Sequence, residues 1–306
     1  MKSCSYQPGN ATINTVGWIG SSGLPHIPSS SLVPRRLNKI IGCFLYRVGE
    51  LYCLTPSLER ELSMSYYNSN AIYNNLVKTP NYCWTVGNAW ILVYGDHNSD
   101  PRLIVFAQGK SWVQDNQVLE SVAALANRAG LPTMHIEFDD KAEAIETVNH
   151  YINATISEEI SLTKLKELFK EHGVPVNSYN FSKAINDKES SAYHKWQRSS
   201  LGRITVSDID LIRIDNQEIM TILELKRSYY TLERWNPFPE DYPNFRLINN
   251  VCRRAGLGFI IAYNVRHTRP KFFDDPSQIK LFFYDKNFNV TQEKIVPLSD
   301  FVNAKY

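Results

Sequence analysis

Hydrophobic and polar positions alternate over short stretches along most of the chain, and they divide it into strands and amphipathic helices. Residues 40–48, 50–54, 89–94 and 103–107 have the apolar, β-branched character of strands. A helix is predicted over 117–128, with Val118, Val122 and Leu125 on one face and Gly130 as its stop. A strand over 133–138 and a helix over 141–152 follow. Ser161 is placed to cap a further helix that carries Leu162, Leu165, Leu168 and Phe169 and ends at Gly173. Beyond it the pattern predicts a helix over 181–197 and strands over 204–214 and 218–225, separated by Asp215, Asn216 and Gln217. A Pro-rich loop, a helix over 244–255 and strands over 258–263 and 279–284 complete the series.

Strands interspersed with helices place the chain in the α/β class. Four segments are expected. Residues 1–35 are rich in Ser, Gly, Pro and Asn and read as a flexible leader. Residues 36–155 form a first α/β domain, 156–177 a helical connector and 178–306 a second α/β domain. The stretches around Arg128-Ala129-Gly130-Leu131 and Arg254-Ala255-Gly256-Leu257 have the same organisation of helix, stop and strand. This similarity suggests two tandem copies, the first one degenerate.

The chain has 306 residues, 43% hydrophobic and 21% charged, which excludes a disordered or fibrous protein. No apolar run approaches the roughly 20 residues of a membrane span, and no secretory signal is evident, so the expected setting is cytoplasmic, without membrane attachment. Five cysteines without a CxxC pair argue against a disulfide framework and a structural zinc site. The net charge of +2 is unevenly spread. Residues 1–177 hold 14 basic and 16 acidic side chains, residues 178–306 hold 19 and 15, so the second half suits a polyanionic partner.

The chemistry is concentrated in residues 207–226. Alternation puts Asp208, Asp210, Ile212 and Ile214 on one face of the first strand, and Met220, Ile222, Glu224 and Lys226 on one face of the second. A hairpin with an odd-length loop turns both sets to the same side. Carboxylates gathered on a half-buried face need a compensating cation. Oxygen donors without nearby Cys or His select Mg²⁺, with Mn²⁺ able to substitute. Lys226 is placed to orient a water or to stabilise charge on a pentacovalent phosphorus, an arrangement suited to phosphodiester hydrolysis. In the first half, Gln108-Gly109-Lys110 is expected at the corresponding place, with no acid on the preceding strand.

Asp210, thirteen intervening residues and then Glu224-Leu225-Lys226 resemble the signature of the PD-(D/E)xK, or restriction-endonuclease-like, nuclease superfamily. The similarity covers residues 178–265, where the predicted order is also that superfamily's helix, three-stranded meander, helix and closing strand. The resemblance implies a restriction-endonuclease-like core in the second domain, a mixed sheet flanked by helices. It also implies a Mg²⁺-dependent endonuclease with Asp210 and Glu224 as metal ligands and Lys226 as the catalytic lysine. Many members of the superfamily add an acid from the preceding helix, for which the resemblance makes Glu189 the best positioned candidate, with Asp187 close by. Ile209 replaces the family's proline, which leaves open whether Asp208 or Asp210 is the main ligand. DNA is the partner implied, RNA a second, and a double-strand cut requires two sites and hence a homodimer. A catalytically silent nucleic-acid-binding or scaffolding subunit is the competing reading. Arg198, Arg203, Arg227, Arg246, Arg253 and Arg254, with Trp196, Tyr229, Tyr230 and Trp235, are candidate phosphate-contacting and stacking residues.

Overall fold

A computed structural model describes residues 71–76, 81–152, 156–177, 191–216, 218–267 and 273–306. The expected leader and the strands over 40–48 and 50–54 lie outside the described residues, as do Asp187 and Glu189. The protein is a mixed α/β molecule with two six-stranded mixed sheets flanked by helices. The first half contributes helix α1 (Ala71–Leu76), strands β1 (Tyr82–Cys83), β2 (Ala89–Gly95) and β3 (Pro101–Gly109), helix α2 (Asn116–Ala129), strands β4 (Thr133–Phe138), β5 (Thr147–Tyr151) and β6 (Ser157–Ser161), and helix α3 (Leu162–Glu171). The second half contributes helix α4 (Ala192–Ser200), strands β7 (Thr205–Asp208), β8 (Leu211–Asp215) and β9 (Glu218–Ser228), helix α5 (Tyr242–Ala255), strands β10 (Gly258–His267), β11 (Phe273–Tyr284) and β12 (Val290–Pro297), and helix α6 (Leu298–Val302).

One sheet has the order β6-β5-β4-β3-β2-β7 and the other β12-β11-β10-β9-β8-β1. The pairing alternates identically in both. The central pair, β3 with β4 and β9 with β10, is parallel, and every other pair is antiparallel. The two halves exchange their leading strands. β1 precedes β2 in sequence yet pairs with β8, and β7 precedes β8 yet pairs with β2.

This exchange corrects the expected strand over 204–214. Asp208 ends its pairing on β2 opposite Leu92, Ile209 donates its N–H to Ile91 O at 2.8 Å, and a new strand begins at Leu211 in the other sheet. The expected three-stranded meander is therefore a hairpin, β8–β9, preceded by a strand of the other sheet. The helix expected over 141–152 is also overturned. Residues 147–151, rich in β-formers, pair with β4 through His135–Tyr151 and Ile136–His150. β6 then joins β5, so the segment expected to be a helical connector contains an edge strand as well as α3. The helix expected over 181–197 is described from Ala192 and extends to Ser200.

The caps follow the chemistry of the sequence. Asp115 accepts from the N–H groups of Gln117 and Val118 at the start of α2, and Ser161 from Lys164 N–H at the start of α3. Gly130 and Gly256 close α2 and α5 with φ of 62° and 68°, the left-handed region that glycine enters without steric cost.

α2 packs on α5, and the two helices cover one face of both sheets, burying Ile91, Ile104, Val122, Ile222, Ile248 and Ile261. Alternate residues of the same strands turn the other way, toward Ile72, Phe169, Tyr193 and Phe301 of α1, α3, α4 and α6. The period of two along each strand thus feeds two cores. Cys83 and Cys252 are buried free thiols. Among the described residues no helix is long and apolar enough to cross a membrane.

Candidate active site

The hairpin β8–β9 sets the register of the site. Asp215 lies opposite Glu218 and Ile214 opposite Ile219, after which the pairing shifts so that Arg213 meets Thr221 and Leu211 meets Leu223. The extra residue is Met220, which is 45% exposed rather than sharing the inward face of Ile222 and Glu224. This bulge, rather than an odd-length loop, brings Leu211 opposite Leu223, with Asp210 immediately before Leu211. Without the bulge the same strands would set Leu211 against Ile222, whose side chain belongs to the other core.

The sequence-predicted acids and amine do converge. Asp210 and Glu224 are buried, at 8% and 4% exposure, and the Lys226 ammonium lies 2.6 Å from Glu224 Oε1. Leu225 N–H donates to Asp210 Oδ2 at 2.7 Å, which fixes that carboxylate against the centre of β9. Tyr73 OH donates to the Asp210 carbonyl at 3.0 Å and holds the chain where it passes between sheets. Asp208, at the end of β7, lies within electrostatic reach of all three. Glu189 lies outside the described residues.

The electrostatics are those of an under-compensated acidic pocket. Burial raises the Asp210 pKa well above the usual carboxylate range, and the charges of Glu224 and Asp208 raise it further. Burial also raises Glu224, partly offset by Lys226 beside it. Burial alone would lower the Lys226 pKa, but the Glu224 and Asp210 carboxylates outweigh it and hold the amine firmly protonated. One ammonium thus faces two buried carboxylates, with a third carboxylate near.

That imbalance is what a divalent cation relieves, and an all-oxygen donor set suits Mg²⁺ or Mn²⁺. Among the described residues no group of three or more His, Cys, Asp or Glu is gathered tightly enough to enclose an ion. Asp210 and Glu224 could serve as a pair of ligands, with water and a substrate phosphate completing the shell, a usual mode for Mg²⁺.

Two features of the site are not legible in the sequence. Phe245, in the first turn of α5, lies under Lys226 with the amine 5.3 Å from its ring centroid. Asp241, just before α5, adds to the negative field at Glu224. Neither position carries a local motif. They meet β9 only because α5 packs against it.

The other candidates separate by environment. Arg254 pairs with Asp100 at 2.5 Å, Arg227 and Arg266 share Asp274, and Arg246 lies over the Phe288 ring. Trp196 and Trp235 are buried, whereas Tyr229 and Tyr230 are 72% and 45% exposed. Aligning the two Arg-Ala-Gly-Leu stops and following the parallel registers places Phe106 where Glu224 stands and Gln108 where Lys226 stands. This corrects the expected correspondence to Gln108-Gly109-Lys110. Gln108 there accepts from His135 Nε2 at Oε1 and donates from Nε2 to Glu137, and Glu137 accepts further bonds from Asn149 and Tyr151. Burial lowers the His135 pKa to about 4, so the cluster is a neutral imidazole and a carboxylate held by neighbouring donors. A cavity of about 1090 Å³ lies away from the acids, between α2 and the β8–β9 turn beside Arg128 and Glu218.

No family model and no curated protein matches the chain. Among solved structures, the sex pheromone precursor from Lactobacillus salivarius subsp. salivarius is similar over 70% of this chain and 69% of its own. At 6% identity and a TM-score of 0.15, that likeness carries no argument about fold or function.

Proposed function

We propose that the protein is a cytoplasmic, Mg²⁺-dependent endonuclease that hydrolyses DNA phosphodiester bonds, with a restriction-endonuclease-like second domain and a diverged first copy. The observation that carries this reading is the juxtaposition of buried Asp210, just before β8, with Glu224 of β9 and the Lys226 ammonium, 2.6 Å from Glu224. Asp210 and Glu224 would hold the cation, which when bound would supply charge neutralisation for the scissile phosphate and acidify water. Asp210, held by Leu225 N–H, keeps its lone pairs in a fixed direction. Lys226, held by Glu224 and resting on Phe245, donates to a non-bridging phosphate oxygen as negative charge grows there. Asp208 and Asp241 add negative field that favours cation capture.

The expected outcome is cleavage of plasmid and single-stranded DNA that requires Mg²⁺ or Mn²⁺. Asp210→Ala, Glu224→Ala and Lys226→Ala should each lower the rate by about 10²-fold or more. Equal cleavage by all four proteins removes the site. The same ion pair supports a second reading, a catalytically silent nucleic-acid-binding subunit, because Lys226 already satisfies one oxygen of Glu224. That reading predicts salt-dependent DNA binding without turnover and without response to chelator. Digestion of RNA beside DNA separates the two substrates. Sedimentation with and without duplex shows whether a homodimer assembles.

A further inference from the structure

A continuous series of aromatic rings leads from the floor of the site to solvent. Tyr263 lies beside Lys226 in the parallel register of β9 and β10. Trp235 stacks on Tyr263 with ring centroids 4.1 Å apart and planes within 3°. Phe238 meets the edge of Trp235 at 6.3 Å, Tyr230 meets Phe238 at 6.2 Å, and Tyr229 stacks on Tyr230 at 5.7 Å. Exposure grows outward along the series: 0% at Tyr263, 2% at Trp235, 42% at Phe238, 45% at Tyr230 and 72% at Tyr229. The inner rings are core. The outer three form a contiguous aromatic surface.

The backbone beneath the rings is held. Tyr263 OH donates within hydrogen-bonding distance of the carbonyls of Ser228 and Tyr230, at 3.0 and 2.6 Å, so the turn after β9 is anchored to β10. The segment returns to the site, since Asp241, three residues beyond Phe238, acts on Glu224. The rings therefore stand at the carboxyl ends of the parallel pair, the edge where ligands of α/β sheets bind.

We propose that Tyr229, Tyr230 and Phe238 form a stacking platform for unpaired bases, so that the DNA strand entering the Asp210–Glu224–Lys226 site is single-stranded. This rests on the nuclease reading for the site's chemistry, but the platform is tested by binding alone. In a duplex the base faces are already stacked inside the helix, and three adjacent rings have nothing to receive. In a single strand every base offers a π-face, and each stack on an aromatic side chain adds to affinity without sequence preference. The excess of 19 basic over 15 acidic residues in the half that carries the platform favours a polyanion over an acidic or neutral protein surface.

The test uses the full chain in chelator, where no strand is cut, with a fluorescein-labelled oligothymidylate of about 20 nucleotides and a duplex of equal length followed by anisotropy. The single strand should bind about tenfold or more tightly than the duplex. Tyr229→Ala and Tyr230→Ala should each weaken it by about tenfold, while Tyr230→Trp keeps wild-type affinity and duplex binding changes less than about twofold. Both tyrosine side chains are exposed, and an unchanged Tm in the variants confirms that the fold is intact. The proposal is overturned if wild type does not bind the single strand, if duplex binds equally well, or if the double alanine variant keeps its affinity. Tighter binding of oligouridylate overturns the assignment to DNA. Ring-dependent binding by a protein that never cleaves DNA upholds the platform and removes the nuclease; cleavage indifferent to the rings does the reverse.

Discussion

Asp210 shows how one side chain couples stability to the proposed chemistry. Its carboxyl group holds a proton in the folded state to higher pH than it does in the unfolded chain, because burial and then the Glu224 charge oppose ionisation. Between the unfolded value of about 3.9 and the raised folded value, the native state binds more protons, so the site's contribution to stability falls as pH rises. Asp210→Asn retains an acceptor for Leu225 N–H and removes the buried ionisable group. In chelator it should stabilise the protein by about 1–3 kcal/mol at neutral pH, with a smaller gain at pH 4. Urea midpoints for both proteins across that range check the prediction, and a gain independent of pH would contradict it. Mg²⁺ should raise the Tm of wild type and leave that of Asp210→Asn nearly unchanged.

At the scale of elements, close approach decides where the site's supports stand. Gly95 ends β2, and a Cβ placed there would lie 2.4 Å from Leu247 Cδ1 of α5 and 2.9 Å from the Asp100 carbonyl. α5 rests on this strand of the other half, and it also brings Phe245 beneath Lys226. Gly95→Ala should therefore cost about 1–3 kcal/mol in the urea midpoint by forcing helix and strand apart. Wild-type stability in that variant would show that α5 has room to move. The hairpin carries a comparable constraint, because the bulge at Met220 sets Leu211, next to Asp210, opposite Leu223, next to Glu224. The composition of residues 207–226 made the cluster readable. The bulge was not, since no residue type there demands one. The expected odd-length loop reached the right face for a different physical reason.

For the whole molecule, the exchange of leading strands is the dominant feature. All described elements fall in one compact unit, Leu54–Tyr306. β1 completes the sheet of the second half and β7 that of the first, while Arg128 of α2 donates to the carbonyls of Ile219 and Ala255. Boundaries at 155 and 177 thus separate strands that hydrogen-bond to each other. Unfolding should follow one cooperative transition, with tryptophan fluorescence and far-UV circular dichroism giving coincident urea curves. Two resolved transitions would mean that the exchanged strands do not couple the sheets.

The sequence by itself determined the α/β class, the strand at Thr133–Phe138, the caps at Ser161, Gly130 and Gly256, and the grouping of Asp210, Glu224 and Lys226. These depend on local periods and on residues whose backbone preferences act within a few positions. Tertiary structure decided what lies far apart in sequence. It split the strand expected over 204–214 between two sheets, turned 147–151 from helix to strand beside β4, and set Asp241 and Phe245 against the site. Strand partners and helix docking depend on hydrogen bonds and contacts between residues many positions apart, and a local pattern of apolar and polar residues is equally compatible with several of them.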